Sequence, residues 1–150
     1  MRITKVTTKT GDGGKTSLGN GQRVHKNHPI INTLGELDYL NSIIGWAEVE
    51  SANESYSSEL KNIQQDIFNM SGDLSLPNSD VSLLKEERII HLERMIKSMN
   101  ENLPPLEEFI LPGGSELNAR LHIARTTCRN SERSLVSLHL EHNKNERSTI

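Results

Sequence analysis

The sequence predicts an all-α, up-and-down helix bundle in a single domain over residues 1–150, with an N-terminal arm over 1–26 and the bundle over 27–150. Three observations lead there. Apolar residues recur at spacings of three, four and seven through four long stretches after residue 28, the periodicity of amphipathic helices. Those stretches are separated by short polar or Pro/Gly-rich connections, which favour antiparallel neighbours. No segment shows sustained strand alternation, apart from a short candidate at 2–7.

The arm carries five of the ten glycines and few apolar residues, so it reads as extended and loop-like. Pro29 is placed as a first-turn proline. Ile30, Leu34, Leu37, Ile44 and Ala47 then set one stripe, widened by Leu40 and Ile43, giving a first helix over 29–50. Leu60, Ile63, Ile67, Met70 and Leu74 give a second over 54–74, and "LPNSD" at 76–80 reads as a connection. Ile89, Leu92, Ile96 and Met99 give a third over 84–100. "NLPPLEEFILPGGS" at 102–115 is a loop, with Ser115 a candidate N-cap for a fourth helix. The expected core side of that helix is Leu117, Leu121, Ala124, Cys128, Leu135 and Leu138, and the chain turns polar after His139.

Composition narrows the function. Hydrophobic residues make up 33% and aromatics 3%, so the core must be built from Leu and Ile, and some apolar surface is expected to need a partner subunit. A net charge of −3 and a pI of 6.1 argue against a nucleic-acid binder. One cysteine, Cys128, cannot form an internal disulfide, which suits a reducing compartment. "MRITKVTTKT" offers no signal-peptide core, and no run approaches a membrane span of roughly 20 apolar residues. A soluble, cytoplasmic protein with no nucleic-acid or membrane partner is expected.

The densest chemistry lies in "TKTGDGGKTSLGNGQR" at 8–23. "GKT" at 14–16 suggests a Walker loop, but the first glycine of that motif would fall on Lys9. The buried strand before it and the helix after it are also missing. The ingredients for binding phosphate remain. Gly11, Gly13 and Gly14 can turn successive N–H groups onto an anion. Thr8, Thr10, Thr16 and Ser17 add hydroxyls, and Lys9, Lys15 and Lys26 add charge. Asp12 could brace the loop or help to place Mg²⁺. Composition alone leaves open a mobile glycine-rich tail.

A second constellation lies in "ARTTCRNSERS". Arg125, Arg129, Glu132 and Arg133 fall at i, i+4, i+7 and i+8, on one helical stripe. Glu132 can pair with Arg129, while the remaining guanidinium forks suit carboxylate or phosphate. Taken alone, the stripe is equally a solvated face. Asp38, in "GELDYLNS", sits beside an apolar stripe and calls for a cation; Arg125, from another helix or another subunit, would serve. His25 and His28, and His139 and His142, are spaced three apart but lack a third ligand, so no metal site is expected. Cys128 reads as a small core residue, and Phe109 as a loop anchor packed on the bundle.

Four segments, "TKTGDGGKTSL", "GELDYLNS", "FILPGGS" and "LHIARTTCRNSER", stand in the order and roughly at the spacings of one family. Over residues 6 to 140 the chain resembles the PduO-type ATP:corrinoid adenosyltransferases. The resemblance implies a ferritin-like bundle with an N-terminal nucleotide-binding arm, a homotrimer and active sites between adjacent subunits. It implies an enzyme that transfers the 5′-deoxyadenosyl group of ATP to cob(I)alamin or a related Co(I) corrinoid, forming adenosylcobalamin and releasing triphosphate, with Mg²⁺ accompanying ATP. A Co(II) reductase and a B12-dependent acceptor enzyme would be its protein partners. Thr8, Lys9, Thr10, Gly11, Thr16 and Ser17 match the family's ATP loop, and Lys26 matches a lysine at the triphosphate. Arg129, Glu132 and Arg133 match its ATP-contacting helix face. Asp38 and Arg125 match a salt bridge across the subunit interface. Phe109 matches a phenylalanine that displaces the lower axial ligand, leaving four-coordinate Co(II) that is easier to reduce.

Two departures carry expectations of their own. Asn130 stands where the family often has a second consecutive arginine, so weaker triphosphate binding is expected. Family members usually continue into a last helix with a "YLNRLSD"-like segment, which falls beyond Ile150. Faces of the first and fourth helices are therefore expected to lie open or to meet another partner. A non-catalytic ATP or adenosylcobalamin carrier is the alternative on this account.

Overall fold

The computed structural model describes residues 7–77, 79–80 and 82–147. The candidate strand at 2–7 falls outside the described residues except for Thr7, which is in neither helix nor strand. A two-stranded antiparallel sheet, β1 (Lys15–Ser17) and β2 (Arg23–His25), precedes four helices. These are α1 (Pro29–Glu50), α2 (Ser57–Ser75), α3 (Glu86–Asn100) and α4 (Glu116–Arg147).

The hairpin corrects the reading of the arm as loop-like with no strand beyond 2–7. Lys15 pairs with His25, Thr16 with Val24 and Ser17 with Arg23. The strand period of two puts Leu18 and Val24 inward, where both are buried. It leaves Lys15, Ser17, Arg23 and His25 exposed. The hairpin turn docks on the end of α2, where the Gly19 N–H donates to Ser75 O at 2.8 Å. A Cβ at position 19 would lie 2.8 Å from Ser75 Oγ and 3.1 Å from Ser75 O, so only glycine allows this approach.

α1 starts and stops where the sequence places it. His28 is extended, and its Nδ1 accepts from the Ile30 N–H at 3.2 Å, with Pro29 in the first turn. That imidazole is a helix cap, filling one of the unsatisfied donors of the helix start. Leu37, Leu40 and Ile44 of α1, Ile67 of α2 and Ala124 of α4 form the core, flanked by Leu60, Ile63, Met70 and Leu135.

α4 differs from expectation in face. It meets α1 through small residues: Thr127 and Ser131 are buried beside Ala124. Ser131 Oγ donates to Glu36 O, and Thr33 Oγ1 and Ser134 Oγ lie 2.8 Å apart. Of the expected core positions only Ala124 is buried; Cys128 is exposed, not core. Small side chains let two backbones approach closely, so the larger ones fall to either side. The helix also runs past His139 to Arg147, because "EHNKNER" contains neither of the strong helix breakers, Gly and Pro.

α3 has no buried residue. Polar contacts tether it to α2: Arg88 Nε bonds both oxygens of Asp66 at 3.0 and 2.9 Å, Arg88 Nη2 reaches Glu59, and His91 Nε2 lies 3.1 Å from Glu59 Oε2. Asp73 accepts the Leu83 and Leu84 N–H groups just before α3 begins. Between α3 and the other helices runs an open apolar groove of about 450 Å³, whose walls include Leu40, Ile44, Leu92, Cys128 and Leu135.

Candidate functional site

The glycine-rich segment forms a tight turn held at both ends. The Gly14 N–H donates to Gly11 O at 3.1 Å, and the Lys26 N–H donates to Gly14 O at 2.9 Å. Lys9 adopts φ 58 and Gly14 φ 76. Such left-handed conformations allow successive N–H groups to converge on an anion. Thr8 and Thr10 hydroxyls are 2.9 Å apart. Lys26 lies across the turn: a Cβ on Gly11 would sit 3.2 Å from its Nζ. So Lys9, Gly11, Thr8, Thr10 and Lys26 are gathered into one patch. Ser17 faces outward beside it, while Thr16 points to the inner, half-buried side of the hairpin.

Sequence reasoning passed over Arg23. Its Nη2 donates to Thr10 O at 2.8 Å and to Lys15 O at 3.4 Å, and its Nη1 to Ser17 Oγ at 3.3 Å. Only the strand register, which puts Arg23 opposite Ser17, discloses this, and strands of three residues carry too little alternation to fix a register.

Arg125, Arg129, Glu132 and Arg133 all lie exposed on α4. Arg129 and Glu132 approach to 3.9 Å, and Arg133 donates to Asn130 Oδ1. Three guanidinium groups on one stripe repel each other, and Glu132 offsets one of them. The face can therefore accept further negative charge. Asp38 is also exposed, and among the described residues neither it nor Arg125 forms a salt bridge. No hydrogen bond or ion pair among the described residues joins the glycine turn to the α4 stripe.

Phe109 is fully exposed at 103%, and its neighbours Leu106, Ile110 and Leu111 are exposed as well. This corrects the reading of Phe109 as an anchor packed on the bundle. The end of its loop is fixed instead by the turn before α4. Ser115 Oγ accepts from the Asn118 N–H at 3.2 Å, as an N-cap does, and Asn118 Nδ2 donates to Gly113 O. Gly113 and Gly114 take φ 139 and 91.

Among the described residues, no group of three or more His, Cys, Asp or Glu could hold a metal ion. No helix there is long and apolar enough to cross a membrane.

The profile described as cobalamin adenosyltransferase matches residues 6–150. A cobalamin adenosyltransferase of Cupriavidus metallidurans is 45% identical over 138 residues, covering 91% of this chain and 74% of that protein. The corrinoid adenosyltransferase PduO of Salmonella typhimurium is 40% identical, covering 92% of this chain but only 42% of its own length. Among solved structures, a variant PduO-type ATP:corrinoid adenosyltransferase from Lactobacillus reuteri, complexed with cobalamin and ATP, superposes with a TM-score of 0.85 at 37% identity. That match covers 91% of this chain and 79% of the other.

Proposed function

Because the chain belongs to the cobalamin adenosyltransferase family, we propose that it transfers the 5′-deoxyadenosyl group of ATP to a Co(I) corrinoid and releases triphosphate. The observation that carries this reading is the glycine turn with Lys26 laid across Gly11, within a chain that matches the family from residue 6 onward.

In this reaction the reduced cobalt of the substrate attacks C5′. A Co–C bond forms, the C5′–O bond breaks, and triphosphate leaves with the bonding pair. No side chain need act as nucleophile, so the residues serve to position substrates and to balance charge. Thr8, Lys9, Thr10, Gly11, Thr16, Ser17 and Lys26 hold the triphosphate from the arm. Arg129, Glu132 and Arg133 meet the nucleotide from α4. Asp12 is the carboxylate at the turn and would help to place Mg²⁺ bound to the triphosphate. Phe109, whose side chain is fully exposed, would cover the corrin ring.

Among the described residues no hydrogen bond or ion pair joins the turn to the α4 face, and neither Asp38 nor Arg125 forms a salt bridge. Both features suit sites shared between copies, so a homotrimer with Asp38–Arg125 pairs across each interface is part of the same proposal. So is a cytoplasmic setting, which rests on the lone cysteine. The relatives' names speak for turnover, and the carrier alternative is not favoured.

The test is anaerobic incubation with Mg-ATP and chemically reduced cob(I)alamin, following the Co(I) absorbance. Steady loss with formation of adenosylcobalamin is expected. Saturable ATP binding without any turnover would overturn the enzyme reading.

A further inference from the structure

We propose that Arg23 is a positioning residue for the nucleotide, acting by stapling the two ends of the glycine turn to the hairpin before ATP arrives. This rests on the reading of that turn as the triphosphate site.

The geometry is specific. Thr10 opens the turn and Lys15 closes it, and one terminal nitrogen of Arg23 reaches both carbonyls, at 2.8 and 3.4 Å. The other terminal nitrogen reaches Ser17 Oγ, at 3.3 Å, just beyond the turn. Little else restrains this segment from outside. Cβ atoms built on Gly13 and Gly14 would meet nothing within 4 Å, so no packing holds them. Among the described residues, the ties from beyond the turn are those of Arg23, the Lys26 N–H to Gly14 O, and the pairing of Lys15 with His25 in the hairpin. A run of glycines without restraint samples many backbone states, and that entropy would be lost on binding.

An anion site needs N–H groups turned toward the ligand and carbonyl oxygens turned away. A guanidinium that takes up Thr10 O and Lys15 O holds these two oxygens on the Arg23 side of the turn. It also leaves a fixed positive charge next to the site. Arginine suits this task better than lysine, because its planar fork can address several acceptors at fixed angles whereas an ammonium is a point charge on a flexible stem. The terminal nitrogens of Arg23 are engaged by Thr10 O, Lys15 O and Ser17 Oγ, so its role does not require contact with ATP. The staple is solvent-exposed, and its effect belongs in nucleotide affinity more than in global stability.

The experiment combines steady-state kinetics with amide exchange on the full chain, for wild type, Arg23→Ala and Arg23→Lys. In Arg23→Ala, KM for ATP is expected to rise tenfold or more, with kcat at saturating ATP and KM for cob(I)alamin both within threefold of wild type. Without ligand, the amides of Asp12 and Gly14, which donate to Lys9 O and Gly11 O within the turn, exchange faster in Arg23→Ala, and ATP restores their protection. Arg23→Lys keeps the charge but loses the fork, and should lie closer to the alanine variant than to wild type. Full rescue by lysine, with unchanged exchange in the free protein, would mean a simple charge effect and overturn the staple. So would an unchanged KM with only a lower melting temperature. If wild type binds no ATP, the functional reading fails, and the exchange comparison still decides whether Arg23 orders the turn.

Discussion

Ser131 Oγ donates to the carbonyl of Glu36 at 3.1 Å and to that of Thr127 at 3.2 Å, tying α4 to α1 across 95 residues of sequence. Ser131 is 2% exposed, and the neighbouring Thr33–Ser134 pair extends the seam. This part of the α1–α4 contact is therefore made by small polar side chains. Ser131→Ala should cost about 1 kcal/mol, the net worth of an ordinary hydrogen bond. Ser131→Leu should cost about 1–3 kcal/mol, because a larger side chain must force the helices apart. Urea unfolding measures both. A leucine variant as stable as wild type would mean that the seam is not tightly packed.

That seam also shows which parts of the fold were legible in the sequence. α1 was readable to the residue, because Pro29 and a dense apolar stripe mark it, and α2 and α3 begin within three residues of expectation. The α4 face was not readable in the same way. Periodicity finds large apolar residues, whereas the buried side of α4 is Ala124, Thr127 and Ser131. Cys128 and Leu135 keep the expected period but line the open groove. The hairpin escaped because two strands of three residues are too short to show alternation. At the candidate site, residue types and the turn were legible from glycine and threonine spacing. The Arg23 contacts depend on a register that sequence does not fix.

The tether of α3 should be sensitive to acid. Burial pushes the Glu59 carboxyl up, but hydrogen bonds from Asn62, Arg88 and His91, with the charge of Arg88, outweigh it and hold the pKa below the ordinary value. A carboxyl lowered in the folded state stabilises the fold above its unfolded pKa, and that contribution is lost as pH falls through the folded value. The loss should therefore appear below about pH 4.3, the usual glutamate value. Arg88→Met should remove most of this pH dependence and cost about 2 kcal/mol at neutral pH, in the range for hydrogen bonds to charged groups. Thermal unfolding from pH 3 to 7 is the check. A pH profile in the variant parallel to that of wild type would remove Glu59 and Arg88 as its source.

Arg129 tests the α4 face. It is exposed, and its link to Glu132 is long at 3.9 Å, so removing it should leave the helix intact. Arg129→Ala is expected to lower kcat/KM for ATP about 100-fold, the scale of losing charge-assisted hydrogen bonds to phosphate, with an unchanged circular dichroism spectrum. Wild-type ATP use in this variant would detach the α4 stripe from the nucleotide site.

Asp38 and Arg125 test the proposed assembly, because each is exposed with no salt bridge among the described residues. If they pair between copies, reversing one charge puts like charges in contact at an interface, which costs several kcal/mol. Asp38→Arg and Arg125→Asp should each lower the assembled fraction in light scattering and reduce corrinoid kcat/KM about tenfold or more. Asp38→Asn removes charge without repulsion and should give a milder loss. The double reversal restores an opposite pair at the same place, so assembly and activity should recover together. Surface charges without a mutual contact would respond additively, and the double variant would then be no better than the worse single one. That outcome, or an intact and fully active assembly in Asp38→Arg, would exclude the pair from the interface.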